Sequence, residues 1–400
     1  MVEREAGNWV DAYMEYTDES ESPDAYHVWT ALSSLASVAR RNVWLDQGIY
    51  LLFPNMYVAL VGPPGRTGKS TAIRMGRRLI TQVPGIKMGP DSCSREQLIR
   101  AMAEAKMDNK CCLTIHSTEF SSILDTSGIA MIQFLTDIYD CDYQNPAGWR
   151  YETKTQGKDQ IINPFLNIEV GTTPSYIADS MPDNVIGHGF TSRTLFVYGE
   201  KERKINPRPR EPSHKLIAAL VHDLLQISGL HGEFRWDCNC PSRCTCNQPT
   251  GKNVYDLFYD RLYESVPADY RMEGYHWRKK IHVLKAAMLL SMAERDELVL
   301  DAKVISTAQK LLELIEEPMA RTFSAVGKYE HASDLERIGS QVLLAGGLPV
   351  AEVFRRNYFA GSEQELRLMI ASLVSMGAVE VVNKDKKEWL IPRSNNLPWR

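Results

Sequence analysis

The sequence predicts an α/β fold with helical flanks, and three observations carry that expectation. Short β-prone runs at 86–88, 111–116, 165–170 and 193–198 alternate with helix-like stretches, the pattern of a parallel sheet. A glycine-rich turn at 62–68 sits between the apolar run 56–61 and a helix expected over Lys69–Ile80. The composition is that of a soluble globular protein: 400 residues, 44% hydrophobic, 24% charged and 9% aromatic. Collagen-like, low-complexity and mostly disordered chains are thereby excluded, and the length fits about two to three domains.

In chain order, residues 1–41 read as two helices split at 20–23. The second carries Tyr26, Trp29, Leu32, Leu35 and Val38 at helical spacing. The α/β region follows, to about residue 200. The basic, proline-rich stretch 201–212 reads as a linker and a domain boundary. Beyond it the chain is mainly helical, over 213–228, 254–265, 275–293 and 301–326. From 331 onward a winged helix is expected: helices over 335–345, 350–356 and 362–376, then a hairpin of 379–382 and 389–391 around a lysine-rich turn. The expected domains are 1–50 (helical), 51–200 (core), 201–330 (helical lid with a cysteine insert) and 331–400 (winged helix).

The apolar runs 56–61 and 286–290 are far shorter than the ~20 residues a membrane helix needs. The opening residues 1–8 are charged and lead no apolar stretch, so a cytosolic protein without membrane contact is expected. The net charge of −4 argues against a wholesale nucleic-acid coat but not against local contact. Eight cysteines in 400 residues make no disulfide scaffold, and cytosolic thiols stay reduced.

The run Val-Gly-Pro-Pro-Gly-Arg-Thr-Gly-Lys-Ser-Thr at 61–71 is the strongest chemical signal. Following a strand and opening a helix, it has the context of a phosphate-binding loop. Gly62, Gly65 and Gly68 let the backbone turn tightly and aim its N–H groups inward, with Arg66 and Thr67 between them, and the helix N-terminus adds positive potential. Lys69 would reach the β- and γ-phosphates of ATP, Ser70 would hold Mg²⁺, and Thr71 is the next helical residue. The usual loop has four residues between its first glycine and the Gly-Lys pair; here five lie between Gly62 and Gly68, with Arg66 the extra one.

A nucleoside triphosphatase of this kind needs a carboxylate at the end of a neighbouring strand. Glu119, just after 111–116, is the candidate base, although Thr118 stands where an Asp is commoner; a helix-capping role is its structural alternative. Thr173, at the end of 165–170, would touch the γ-phosphate or its attacking water. Arg193 follows a glycine-flanked loop and would serve a neighbouring subunit's site as an arginine finger, or form a plain ion pair.

Several motifs together resemble those of phage and plasmid replication ATPases. They are Phe-Pro-Asn-Met-Tyr-Val-Ala-Leu-Val-Gly at 53–62, the phosphate loop, His-Ser-Thr-Glu-Phe at 116–120, Gly-Thr-Thr-Pro at 171–174 and Gly-Phe-Thr-Ser-Arg at 189–193. The resemblance covers about residues 20–330. It implies a P-loop NTPase core of the AAA+ or RecA-like kind, ring assembly, and a role in DNA replication. It assigns ATPase roles to Lys69, Ser70, Glu119, Thr173 and Arg193. The stretch 277–287 with the following helix is similar to an AAA+ lid, in which Arg278 would lie over the nucleotide; a basic helix face is the alternative.

Two segments are candidate DNA contacts. A hairpin over 148–162 carries Arg150, Lys154 and Lys158 with Trp149 and Tyr151, cations for the backbone and rings for stacking; a solvated hairpin is the plain alternative. The winged helix would place its third helix in a major groove, yet residues 334–400 hold nine Lys/Arg against eight Asp/Glu. Docking onto a protein is therefore an equal claim. Cys238, Cys240, Cys244 and Cys246 fall within nine positions and would close a structural zinc site, with reduced thiols on a loop or an iron–sulfur cluster as alternatives.

The leading expectation is a DNA-dependent ATPase, a ring helicase of phage replication acting on single-stranded or forked DNA with other replication proteins. A helicase loader or initiator without unwinding activity is the alternative. A P-loop kinase and a non-catalytic DNA-binding scaffold are the remaining readings.

Overall fold

The computed structural model describes residues 4–124, 128–141, 145, 147–153, 157–181, 189–267, 269–323, 332–358, 361–384 and 387–393. Two compact units divide between Val326 and Gly327.

The first unit opens with α1 (Trp9–Tyr16) and α2 (Asp24–Ala39), then β1 (Val43–Asp46), β2 (Leu51–Leu52), β3 (Tyr57–Val61) and α3 (Lys69–Ile80). Next come α4 (Arg95–Glu104), β4 (Lys106–Met107), β5 (Lys110–Ser117), α5 (Ser121–Leu124) and α6 (Gly128–Tyr139). The hairpin β6 (Trp149–Thr153) and β7 (Gly157–Ile161) precedes β8 (Pro164–Thr172), α7 (Pro174–Ser180), α8 (Gly189–Arg193) and β9 (Thr194–Tyr198). The unit closes with α9 (His214–Ser228), β10 (Gly232–Trp236), α10 (Gly251–Glu264), α11 (Glu273–Glu294), β11 (Val299–Leu300) and α12 (Ala302–Thr322).

The main sheet has the order β4-β5-β8-β3-β9. Its four long strands β5, β8, β3 and β9 are mutually parallel, and β4 is an antiparallel edge. Every residue of β3 and β8 is buried, as expected of central strands covered on both faces. The 86–88 segment, expected as a strand, makes only a parallel bridge from Met88 to Thr114 beside β5. A second sheet, β11-β10-β1-β2, joins the amino-terminal region to the helical region through parallel pairing of β1 with β10. Nothing local in either strand announces that partner.

The segments expected as separate amino-terminal, core and lid domains share one hydrophobic core running from Trp9 to Phe323. The stretch 201–212 is no free linker. Arg203 donates to the Ser20 carbonyl (2.9 Å) and the Asp18 carbonyl (2.7 Å), and Asn206 and Arg210 hold Glu19. The sequence anticipates one apolar stripe on α2, but the helix is buried all round, from Thr30 through Ala39 without interruption. Its serines avoid loss of hydrogen bonds by turning back on their own helix, Ser34 to the Thr30 carbonyl and Ser37 to the Ser33 carbonyl, both at 2.8 Å.

Polar residues of the central strands are tied to α2. Asn167 donates to the Ser33 carbonyl and to the Ser33 and Ser37 hydroxyls, each at 3.0 Å, while its carbonyl accepts the Met56 N–H at 2.9 Å. Beside it Glu169 accepts from the Thr30 hydroxyl and stands 3.5 Å from His116 Nδ1. Burial pushes the Glu169 carboxyl up to about 8, against the pull of Thr30, and pushes the His116 imidazole down to about 3. Both are therefore neutral in the fold at neutral pH.

The second unit contains α13 (Ala332–Ala345), β12 (Leu348–Pro349), α14 (Val350–Arg356), α15 (Glu363–Ser375), β13 (Val379–Lys384) and β14 (Lys387–Pro392). The strands form an antiparallel sheet β12-β14-β13 over a separate core of Ile338, Val342, Val353, Leu373, Val379 and Leu390. No helix among the described residues is long and apolar enough to cross a membrane.

The Glu169 contribution has a definite sign. An acid whose pKa is raised on folding stabilises fully below its unfolded value of 4.5 and loses that contribution as pH rises toward about 8. From this one group the slope is a fall of up to about 1.4 kcal/mol per pH unit. Buried His116, His27, His282 and Lys285, whose pKa values are lowered, contribute slopes of the opposite sign. The Glu169 contribution is therefore read as a difference in denaturant unfolding. Between pH 4.5 and 8 the slope for Glu169→Gln should be more positive than that of wild type, and an unchanged slope would refute the assignment.

Candidate active site

The 62–68 loop leaves the buried end of β3 and turns directly into α3. Gly65 and Gly68 adopt φ +72° and +63°, left-handed values that suit glycine. Gly62 is required for space instead: a Cβ there would lie 2.5 Å from both the Gly199 carbonyl oxygen and the Tyr26 hydroxyl. No side chain caps α3 among the described residues. The Thr71 N–H turns back to the Gly68 carbonyl at 3.0 Å, which leaves the helix N-terminus at Lys69 and Ser70 uncapped beside the loop, where an anion would bind.

Lys69 folds back over this loop, its Nζ donating to the Gly62 carbonyl at 2.7 Å and the Pro63 carbonyl at 3.0 Å. Burial lowers its pKa, and the charge of Glu119 opposes that shift, so the lysine and the carboxylate feel one another. Ser70 is half-buried and Thr71 exposed in the first turn of α3. The extra loop residue is absorbed by an outward bulge. Pro64, Gly65 and Arg66 are exposed, and Arg66 pairs with Glu202 at 3.0 Å, whereas Thr67 is buried.

The turn between α1 and α2 braces the loop from behind. The Tyr26 hydroxyl donates to the Val61 carbonyl at 2.6 Å and lies 3.4 Å from the Thr67 hydroxyl; Ser22 Oγ donates to the Gly68 carbonyl at 2.9 Å. Sequence reasoning missed Ser22 altogether and saw Tyr26 only as a core residue, because nothing in their spacing points to a loop some forty residues later.

Glu119 follows β5 and is exposed. Its position is fixed by its neighbours: the Phe120 N–H donates to the Gly171 carbonyl at 2.8 Å, and a Cβ at Gly171 would lie 2.5 Å from the Thr118 carbonyl oxygen. The ends of β5 and β8 are thus clamped together. Gly62 N–H in turn donates to the Thr172 carbonyl at 3.3 Å, bringing β8 to the loop. Thr173 caps α7, its hydroxyl accepting the Tyr176 N–H at 3.2 Å and lying 3.0 Å from Ser175 Oγ. The preceding Thr172 has a buried hydroxyl without a partner among the described residues, and sequence reasoning passed over it. A cavity of about 260 Å³ opens beside these groups, lined by Ile73, Arg74, Arg77, His116 and Thr118.

Arg193 and Arg278 lie elsewhere. Because β9 runs parallel to β3 with Thr194 opposite Tyr57 and Tyr198 opposite Val61, Arg193 stands at the start of the sheet and the loop at its finish. Four strand residues, roughly 13 Å, separate those ends. Arg278 was expected over the nucleotide, and the structure instead places it with Arg193. Both bond to Asp140, Arg193 at 2.7 Å and Arg278 at 2.8 Å, and each guanidinium lies 5.9 Å from the Tyr139 ring centre. The cause is the packing of α11 on α8, where His282 meets the Ser192 carbonyl at 2.9 Å. Burial raises the Asp140 pKa, but the two arginines outweigh it and pull the carboxyl down to about 2.

The candidate DNA contacts are unequal. In the hairpin, Trp149 packs edge-on against Phe134 and stacks on Tyr151, and Arg95 covers Tyr151, so both rings are engaged within the protein. Arg150 is exposed, Lys158 pairs with Glu152 at 3.0 Å, and Lys154 lies outside the described residues. In the second unit, Arg337, Arg355, Arg356, Arg367 and Arg393 all pair with carboxylates of the same unit.

The four cysteines of the insert between β10 and α10 converge. Cys238 and Cys244 sulfurs lie 3.7 Å apart, Cys240 and Cys246 3.6 Å, and all four lie within 4.8 Å of one another. Four 2.3 Å bonds at tetrahedral angles place sulfurs about 3.8 Å apart, so the set fits a zinc-sized ion. The surrounding chain holds the loop closed: Cys244 N–H donates to Asp256 at 2.9 Å, and Arg243 pairs with Asp260 at 2.6 Å. A cluster able to hold a metal such as zinc is thus present.

The chain matches no protein-family model and no curated protein.

One zinc per chain is the expected result of metal analysis on the purified protein. Cys240→Ser with Cys244→Ser should abolish it, and chelation should loosen 238–246 without unfolding the core, read as protease sensitivity confined to the insert. Metal-free protein with an equally protected insert would count against the site.

Proposed function

We propose that the chain is an ATP-hydrolysing, DNA-dependent motor that works as a ring, a replication helicase of phage type. One observation supports this above the others: the glycine loop, Lys69 and Glu119 meet at one end of a parallel sheet, with β8 between the loop strand and the carboxylate strand. That order fits an AAA+ or RecA-like core, in agreement with the motif resemblance. In this reading the α3 N-terminus and Lys69 hold the β- and γ-phosphates of ATP, and Lys69 exchanges its loop carbonyls for them. Ser70 offers a hydroxyl to Mg²⁺, which would neutralise phosphate charge when bound. Glu119 orients the attacking water and takes its proton, and Thr172 or Thr173 contacts the γ-phosphate side.

The ring reading rests on Arg193, which stands at the far end of the sheet, out of reach of its own loop. The plain ion pair it makes with Asp140 is the alternative; in this reading it acts in a neighbour's site. Asp140 and Arg278 keep it preorganised there, which replaces the cis role expected of Arg278.

A second reading is supported by the second unit. Its order of helix, strand, two helices and hairpin suits a winged helix, and its described arginines are spent on internal pairs, which favours a protein partner over a phosphate backbone. The motor would then be a helicase loader or initiator; strand-displacement assays distinguish the two.

Phosphate release from ATP should rise with single-stranded DNA, and Lys69→Ala should lower it by about 10²-fold or more. Turnover indifferent to DNA would favour the loader; absence of turnover with ATP bound would refute the motor.

Arg193→Ala should cost about 10³-fold or more, as removal of an arginine finger does. Mixing this variant with Lys69→Ala should restore some of the turnover, since one chain supplies the loop and the other the arginine. Failure of the mixture, with each variant still assembling, would refute action between subunits.

A further inference from the structure

A cavity of about 590 Å³ lies between the 47–53 segment and α11, at a distance from the glycine loop. Its walls include Tyr50, Phe53, Trp277, Arg278, Lys280 and Asp140. Trp277 and Lys280 line the cavity and also touch the α10 rings, Trp277 at Tyr263 and Lys280 at Tyr259 and Tyr263, so the cavity and the α10 surface are continuous. Along that surface runs a row of rings. Trp236 meets Tyr255 at 5.7 Å between centres, Tyr255 meets Tyr259 at 6.2 Å, Tyr259 meets Tyr263 at 5.1 Å, and Tyr263 meets Trp277 at 5.1 Å. The tyrosines recur every fourth residue, which sets them about 6 Å apart along the helix.

This row is not simply core. Tyr263 is 52% exposed and Tyr50 37% exposed, and Ile49 beside the cavity is 79% exposed. It is also cationic. Lys280 Nζ lies 5.2 Å from the Tyr259 ring and 5.3 Å from the Tyr263 ring, and 2.9 Å from the Tyr263 hydroxyl. Arg278 and Lys280 line the cavity against the single carboxylate of Asp140, which Arg193 and Arg278 already neutralise. Lys285, also in the lining, is buried, donates to Asn55 and has its pKa lowered by burial to about 7.

We infer that this cavity and the α10 ring row form a binding site for successive nucleotides of a single strand, the bases stacking on Tyr259, Tyr263 and Trp277 and the phosphates meeting Lys280 and Arg278. Stacked rings interleaved with cations are the sequence-tolerant means of holding an unpaired strand. A protein partner would be served by the rings but not by the cation excess. A free nucleoside triphosphate would find neither a glycine loop nor a helix N-terminus among the lining groups. The choice of nucleic acid as ligand rests on the proposed function. The site is apart from the glycine loop of its own chain but adjoins Arg193 through Asp140, and its strand binding is tested separately from turnover.

The full-length protein is titrated into a labelled oligothymidylate, read by fluorescence anisotropy at several salt concentrations. Tyr263→Ala and Trp277→Ala should each weaken binding about tenfold, as loss of one stacked base does, and Tyr263→Phe should restore it. Lys280→Gln should lower the slope of log affinity against log salt by about one contact. Lys69→Ala should stop turnover yet leave the strand bound, which separates failure of this site from failure of the ATPase reading. The inference is overturned if wild type does not bind the strand, or if all three variants bind as wild type does; the latter would assign the ring row to a protein partner. It is overturned equally if thymidine monophosphate displaces the strand at comparable concentration, since the site would then take free nucleotides.

Discussion

No atom larger than hydrogen fits on the Cα of residue 62. The Gly199 carbonyl, the Tyr26 hydroxyl and the Thr67 hydroxyl all occupy the space a Cβ would need, and the rest of the site is arranged around that close approach. It draws the end of β3 against the segment after β9 and against α2. The loop can then pass between them and release its remaining residues toward solvent. The contact of Gly171 with Thr118 has the same effect on the neighbouring strands. Two missing side chains thus bring four strand ends together in pairs, β3 with β9 and β8 with β5, and the candidate site hangs on those ends. Because both contacts are to backbone carbonyl oxygens, no rotamer change of a neighbour would relieve an added methyl group.

The buried polar layer beneath is the counterpart of that crowding. Asn167 and Glu169 lie in the strand next to the loop strand and His116 in the one beyond it, where an apolar residue would satisfy burial more simply. They are matched by Ser33, Ser37 and Thr30 on α2, so the helix can seat in one register only. A helix with a uniformly apolar face would slide on the sheet; one that must present particular hydroxyls to particular amides cannot. That register in turn sets where Tyr26 arrives.

Local pattern carried much of this architecture. The 62–71 motif, the alternation of strands and helices and the amphipathic helices of the second unit were legible because each is encoded by periodicity or turn chemistry within a dozen residues. What stayed hidden depends on pairs distant in the chain. The β1–β10 pairing joins segments almost two hundred residues apart, and neither strand is patterned to reveal it. Full burial of α2 could not be read from the five apolar positions that marked one face, because alanines and serines complete the others. Arg193 was identified from a motif, but its company with Arg278 required Asp140, which lies in no motif at all. The cysteine set was legible because its four members sit within nine residues, so spacing nearly defines geometry. Thr172 and Thr173 show the limit of such reading: one residue decides which hydroxyl caps a helix and which is left unpaired.

The strap formed by Arg203, Asn206 and Arg210 around the 17–21 turn bears on how the protein can be trimmed. That turn leads straight into Ser22 and Tyr26, which hold the loop, and the strap is the segment that keeps the turn in place. A fragment cut to begin at β3 would retain every glycine, the lysine and the carboxylate, yet would have lost the scaffold that shapes them. One cut before 201 would keep the brace but leave it unanchored. The smallest autonomous form of this glycine-loop architecture is accordingly set by its buttresses, and it extends far beyond its signature motif in both directions along the chain.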